Sequence, residues 1–187
     1  PLDPRFEAIA AAVAADLEDN LATGASISIW LDGEVQWVGG FGSAHPDHEQ
    51  AVGPDTLFMI GSDTKKLTAI SLLQRGAEGS TTLDTTLGEV VPELEMAWAP
   101  AFTGATVHEL LTHQGGIVDM IEQNTSSDGD GLLGFTLGDF AEQAYPLAPP
   151  GRIWNYSNPN FSIAGLLDQQ LAGQPWEDQI QAGVLTP

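Results

Sequence analysis

The sequence contains no cysteine, only two lysines and three arginines, and no apolar run long enough to span a bilayer. Without thiols, a disulfide framework, a thiolate metal site and a cysteine nucleophile are all excluded, while the redox compartment stays open. The five basic residues, Arg5, Lys65, Lys66, Arg75 and Arg152, stand against 26 acidic ones, a formal charge of −21. Such a field repels phosphate backbones and anionic headgroups, so neither nucleic-acid binding nor membrane insertion is expected. The plain reading of this acidity is a solvated, colloidally stable surface of the kind suited to a saline habitat, ahead of an acidic recognition patch. With 187 residues and 42% hydrophobic content, the chain reads as soluble and globular, in one large or two small domains. It opens on Pro1 with no basic-then-apolar segment, so a processed or trimmed start is expected, without a targeting peptide.

Periodicity divides the chain. Residues 5 to 21, RFEAIAAAVAADLEDNL, space Phe6, Ile9, Val13 and Leu17 for one face of a helix. The period then becomes two: Ile27, Ile29 and Leu31 alternate, Asp32-Gly33 marks a turn, and Val35 and Trp37 follow, which predicts a hairpin of Ser26 to Trp30 with Val35 to Val38. From Ser62 onward strand signals fade, and helix starts are expected at Ser62, at Thr106 with Glu109 and at Thr136 with Asp139. Loops are marked at AHPDHEQAVGP, NTSSDGDG and PLAPPGR, and no internal repeat is present. The expected division is residues 1–60, an N-terminal helix and the first strands of a sheet domain, and 61–187, a mostly helical subdomain.

Both lysines lie in FMIGSDTKKLTA, residues 58 to 69. If a helix begins at Ser62, Lys65 sits one turn along on the same face, its amine within reach of the serine hydroxyl. A serine hydroxyl is inert until a neighbour takes its proton, and a lysine can do so where desolvation and nearby positive charge lower its pKa. Backbone N–H groups at a helix start would favour a developing oxyanion. The same residues also fit an N-capping serine with a solvated lysine. A second element is Tyr156-Ser157-Asn158, between a proline-rich turn and an amphipathic segment. A phenol can relay or accept the serine proton and an amide two residues on can hold a substrate carbonyl; a loop tyrosine beside an asparagine turn is the alternative.

Taken in order, FMIGSDTKKLTA, TTLDTTLGEVVPELE, ATVHELLTHQGGI and PPGRIWNYSNPNFSIAGLLDQQLAGQPWEDQI resemble the serine β-lactamase-like hydrolases of the class C type, which include class C β-lactamases, D-Ala-D-Ala carboxypeptidases, D-aminopeptidases and related esterases. The resemblance covers most of the chain. It implies an α+β fold, an antiparallel sheet flanked by helices plus a mostly helical subdomain, with the active site between them. It also implies Ser62 as the acylated nucleophile, Lys65 as its proton partner, Tyr156 as general base and acid, and Asn158 as a substrate-binding amide. No metal or cofactor is implied, and Lys66 is read as an electrostatic neighbour. The implied substrate is a small molecule or peptide, whether β-lactam, D-amino-acid peptide or ester, and the implied location is periplasmic or secreted. A non-catalytic binding module of the same fold is the rival reading.

The chain departs from that pattern twice. Gln114-Gly115-Gly116 stands where the family commonly has Thr-Ser-Gly, and the Lys-Thr-Gly or His-x-Gly strand that forms the third active-site element has no counterpart before the end at QAGVLTP. A separate polypeptide supplying the C-terminal strands is therefore the expected partner. Other motifs carry less. His108 and His113 in HELLTH are five apart rather than four, which turns them away from a shared zinc, and a capping box at Thr106 and Glu109 explains the same residues. DGDG at 128–131 lacks the remaining ligands of a calcium loop, and GGFGSA lacks the third glycine and the helix of a dinucleotide fingerprint. The five tryptophans are read as packing residues.

Overall fold

The computed structural model describes residues 3–48, 50–92, 94, 100–119 and 145–186. The chain divides into two compact units, Pro1–Met59 and Ile60–Pro187. Among the described residues, no helix is long and apolar enough to cross a membrane.

In the first unit, helix α1 (Pro4–Asp19) begins where the Asp3 carboxylate accepts the Arg5 N–H at 2.9 Å, with Pro4 in the first turn, where its missing donor costs nothing. The helix ends earlier than its apolar spacing suggests. Asn20 folds its amide back onto Asp16, and Leu21 turns left-handed (φ 53°) with 90% of its surface exposed. Strands β1 (Gly24–Leu31) and β2 (Glu34–Gly42) pair antiparallel. Asp32 (φ 52°) and Gly33 (φ 82°) both take the left-handed region, the geometry of a type I′ turn, whose twist matches that of the strands.

Trp30 pairs with Val35, but a bulge then sets Ile29 opposite Trp37, and pairing continues to Gly24 opposite Gly42. The bulge puts Trp37 on the face of Ile29. There its ring stacks on Phe6 of α1 at 5.5 Å and meets Phe41 edge-on at 6.1 Å. The indole lies over Gly39, where a Cβ would come within 2.4 Å of it, so only glycine fits. Trp30, Val35 and Val38 are exposed, and among the described residues both strands of this two-stranded sheet are edges.

The second unit is built from helices. A 3₁₀ turn (Gly61–Asp63) runs directly into α2 (Thr64–Glu78), which stops at the left-handed Gly79. Helices α3 (Leu87–Val90) and α5 (Val107–Leu111) flank α4 (Pro100–Thr103) in sequence. Each of α3 and α5 starts with a reciprocal Thr-x-x-Glu capping box, Thr86 with Glu89 and Thr106 with Glu109. The two starts lie side by side, since Leu87 donates to the Ala105 carbonyl and Val107 to that of Thr85, each at 2.9 Å. Helix α6 (Asn158–Ala172) packs on α2 and α5, and α7 (Trp176–Ile180) runs into a π turn, Gln181–Leu185.

Leu72, Leu87, Leu110, Ile117, Ile163 and Leu167 are among the buried side chains of the core. A buried polar cluster also fastens α2 to α6: Ser71 donates to Asp168 at 2.7 Å, and the Arg75 guanidinium lies 3.6 Å from the same carboxylate while donating to Gln179 at 2.7 Å. Burial pushes the Asp168 carboxyl above the usual carboxylate range, against the pull of Ser71 and Arg75. The helix start expected at Thr136 and Asp139 and the 128–131 loop lie outside the described residues.

Candidate active site

The segment that carries Ser62 is set by Gly61, whose positive φ (52°) turns the chain into the 3₁₀ turn before α2. A residue with a Cβ would be strained there. Ser62 lies in that turn and Lys65 in the first turn of α2, and the amine reaches back to donate to Ser62 Oγ at 3.2 Å. The i, i+3 relation read from the sequence therefore brings the two groups together even though the serine precedes the regular helix.

The partner segment arrives through the proline-rich loop that precedes α6. Leu147 N–H donates to the Gly116 carbonyl at 2.9 Å, Gly151 N–H to that of Gln114 at 2.8 Å and Asn155 N–H to that of His113 at 2.9 Å. These bonds lay residues 147–155 along the turn that follows α5. The turn is matched to α6 at one position: a Cβ on Gly115 would stand 2.4 Å from Oδ1 of the buried Asn160. The departure at Gln114-Gly115-Gly116 thus leaves the room that Asn160 fills.

Tyr156 then projects its phenol to 2.8 Å from Ser62 Oγ, and Asn158 Oδ1 accepts from Lys65 Nζ at 2.8 Å. All four residues singled out from the sequence meet at one point. The Lys65 ammonium also lies 5.1 Å from the centre of the Tyr156 ring and 5.6 Å from that of Phe161. Hydrogen bonding to Lys65 first, and to Ser62 second, holds the Tyr156 phenol below its usual range, while the more distant Asp119 charge works the other way.

Two further residues complete the arrangement without a sequence signal of their own. His113, left-handed at φ 58°, lays its ring 4.4 Å from that of Tyr156 and 5.1 Å from that of Phe161. Its Nδ1 accepts the Ser157 N–H at 3.2 Å, which requires that nitrogen to be unprotonated. Burial first, and the Lys65 charge second, lower the His113 pKa, so the neutral ring is the favoured form. Asp119 accepts the Asn158 backbone N–H at 2.8 Å and its side-chain amide at 3.3 Å. Their roles depend on partners far along the chain: Ser157 lies 44 residues from His113, and Asn158 lies 39 residues from Asp119.

Among the described residues, no three His, Asp or Glu side chains converge to hold a metal ion. What converges instead is a hydroxyl within hydrogen-bonding distance of both an ammonium and a phenol. The helical unit and the hairpin have the beta-lactamase/transpeptidase fold. It matches the octameric penicillin-binding protein homologue from Pyrococcus abyssi with a TM-score of 0.80 at 25% identity, over 95% of this chain and 42% of that one. It also matches the D-alanine carboxypeptidase AmpC from Burkholderia cenocepacia with a TM-score of 0.69 at 27% identity, over 88% of this chain and 42% of that one.

The description of the Beta-lactamase family fits residues 9–187, and the chain belongs to that family of serine hydrolases. Penicillin-binding protein 4 of Amycolatopsis lactamdurans is 29% identical over 164 residues, an overlap of 88% of this chain and 42% of that protein. The chain thus spans about two fifths of the length of these relatives.

Proposed function

We propose that the protein is a serine hydrolase that works through an acyl-enzyme on Ser62. The observation that carries this reading is the 2.8 Å contact between Ser62 Oγ and the Tyr156 phenol, with Lys65 3.2 Å from the same oxygen. In the reaction, Ser62 Oγ adds to the substrate carbonyl as its proton passes to the Tyr156 phenolate. The Lys65 ammonium stabilises that phenolate, and the neutral His113 ring fixes the phenol's direction without adding a second positive charge. Collapse of the adduct expels the leaving group, which takes the proton from Tyr156 and leaves the acyl chain on Ser62. Water then repeats the sequence: its proton goes to Tyr156, its oxygen to the carbonyl, and Ser62 departs and is reprotonated. The Asn158 amide, expected to bind substrate, has its oxygen on Lys65, so holding the ammonium is its first task here.

The penicillin-binding and D-alanine carboxypeptidase relatives support a β-lactam or a D-amino-acid peptide as substrate, and small esters fit the same chemistry. A complementing polypeptide carrying the further strands and the third active-site element belongs to the proposal. Its support is the hairpin itself, which among the described residues has no further strand beside it and leaves Trp30, Val35 and Val38 exposed. The test is turnover of p-nitrophenyl acetate and nitrocefin by the purified chain, alone and with added complementing polypeptide, against Ser62→Ala. Hydrolysis that Ser62→Ala abolishes is expected. Hydrolysis by Ser62→Ala at the parent rate would overturn the serine assignment, and full turnover by the 19.7 kDa chain alone would overturn the need for a complement. A chain that binds penicillin without being acylated, with or without the complement, would be a binding module instead.

A further inference from the structure

Asp119 belongs to none of the motifs that drew attention in the sequence, yet it touches the residue that holds Lys65. Its Oδ1 accepts the Asn158 backbone N–H at 2.8 Å and the Asn158 Nδ2 at 3.3 Å. The opposite end of the same amide, Oδ1, accepts from Lys65 Nζ at 2.8 Å, and Lys65 in turn donates to Ser62 at 3.2 Å. An amide can face either way. Turned over, Asn158 would set its oxygen against a carboxylate and its NH₂ against an ammonium, so the Asp119 charge selects the orientation that holds Lys65.

The carboxylate also performs the capping that the adjacent serine does not. Ser157 precedes α6, but its hydroxyl donates to the Val118 carbonyl at 3.2 Å, and no side-chain cap comes from it. The Asp119 carboxylate meets the first N–H of the helix, where a negative charge is favoured. The chain leading to Asp119 is held two residues earlier, where Asn155 Nδ2 donates to the Ile117 carbonyl at 3.4 Å and the Ile117 side chain is fully buried.

We propose that Asp119 is a positioning residue for acylation, clamping Asn158 so that its carbonyl oxygen faces Lys65 and the ammonium stays between Ser62 and Asn158. The inference rests on the reading of Ser62 as the nucleophile. Among the described residues, the groups that act on the Tyr156 phenol are Ser62 and Lys65 from the start of α2, which lower its proton affinity, the His113 ring from the turn after α5, which lies against it, and Asp119, whose negative charge raises that affinity as burial does.

The experiment compares the parent chain with Asp119→Asn and Asp119→Ala in acylation of Ser62 by penicillin, followed by mass as a function of pH. Asp119→Ala is expected to lose about 10-fold or more in acylation rate, as for a hydrogen bond to a charged group. Asp119→Asn, which keeps an acceptor in place, is expected to recover most of that rate. Both should move the midpoint of the rising limb to lower pH, because the charge that raises the Tyr156 pKa has gone. Equal rates and profiles in all three would overturn the proposal, and so would a rate loss with an unmoved midpoint, the mark of a purely structural role.

If the parent chain itself takes no label on Ser62, the nucleophile reading fails. Asp119 is then judged by tyrosinate absorbance in a Tyr145→Phe background, where Tyr156 is the one remaining tyrosine. A Tyr156 titration shifted down in Asp119→Asn supports the placement, and an unshifted one overturns it.

Discussion

Replacing Tyr156 by phenylalanine removes one oxygen and little else. The ring keeps its place 4.4 Å from His113, and with 38% of its surface exposed the side chain gives up no buried polar partner on folding. The stability change is expected to stay within about 1 kcal/mol, the net worth of a typical hydrogen bond. The chemical loss is larger. The phenol is 2.8 Å from Ser62 Oγ, and a positioned general base contributes about 10²- to 10⁴-fold, or roughly 3–5 kcal/mol of barrier.

The pH dependence separates Tyr156 from the other candidate base. Lys65 and Ser62 lower the Tyr156 pKa, so the phenolate, and with it the rate, should persist below the ordinary phenol range and fall only as pH drops through that depressed value. In Tyr156→Phe that limb should vanish along with most of the rate. The assay is the pre-steady-state burst of p-nitrophenol across a pH series, with thermal unfolding recorded in parallel. A variant that acylates at the parent rate with the same pH limb would refute the assignment and pass the role of base to Lys65, the other group in contact with the serine oxygen.

Three further outcomes follow from the packing. The folded-state pKa of Asp168 is raised above the ordinary aspartate value of 3.8, so its favourable contribution is present below 3.8 and lost as pH rises through the raised value; urea unfolding of parent and Asp168→Asn across this range should show the variant gaining on the parent as pH increases. A constant difference would contradict that. Gly115→Ala would set a methyl 2.4 Å from the buried Asn160 oxygen and should cost about 1–3 kcal/mol, with much of it restored by adding Asn160→Gly; an unrestored double variant would mean that the strain lies elsewhere. Thr106→Ala should cost about 1 kcal/mol in the same unfolding assay by removing the acceptor for the Glu109 N–H, and no change would mean that the cap is not needed to hold α5.

The catalytic-type residues were legible because their chemistry is local. Ser62 with Lys65, and Tyr156 with Asn158, are each set by short-range geometry, so spacing alone predicts the relation within each pair, and the family resemblance joins the two pairs. The Thr106 and Glu109 box is local in the same way, and Thr86 with Glu89 carries an equal signal at the start of α3. The alternation of β1 and β2 and the Asp32-Gly33 turn predict the hairpin, but not the bulge between Ile29 and Trp30, which follows from where Trp37 can stack. His113 and Asp119 were not legible as site residues, because what they do depends on contacts 44 and 39 residues away that no local period encodes. The early end of α1 is not legible in its periodicity, because apolar spacing continues to Leu21 while the Asn20 cap and a left-handed Leu21 close the helix first.

The central claim is that Ser62 becomes covalently acylated, and intact-mass analysis followed by peptide mapping after exposure to penicillin tests it most directly. A single adduct on the peptide containing Ser62, absent from Ser62→Ala and slowed in Tyr156→Phe, is the expected result. No adduct, or one that maps elsewhere and persists in Ser62→Ala, would contradict it.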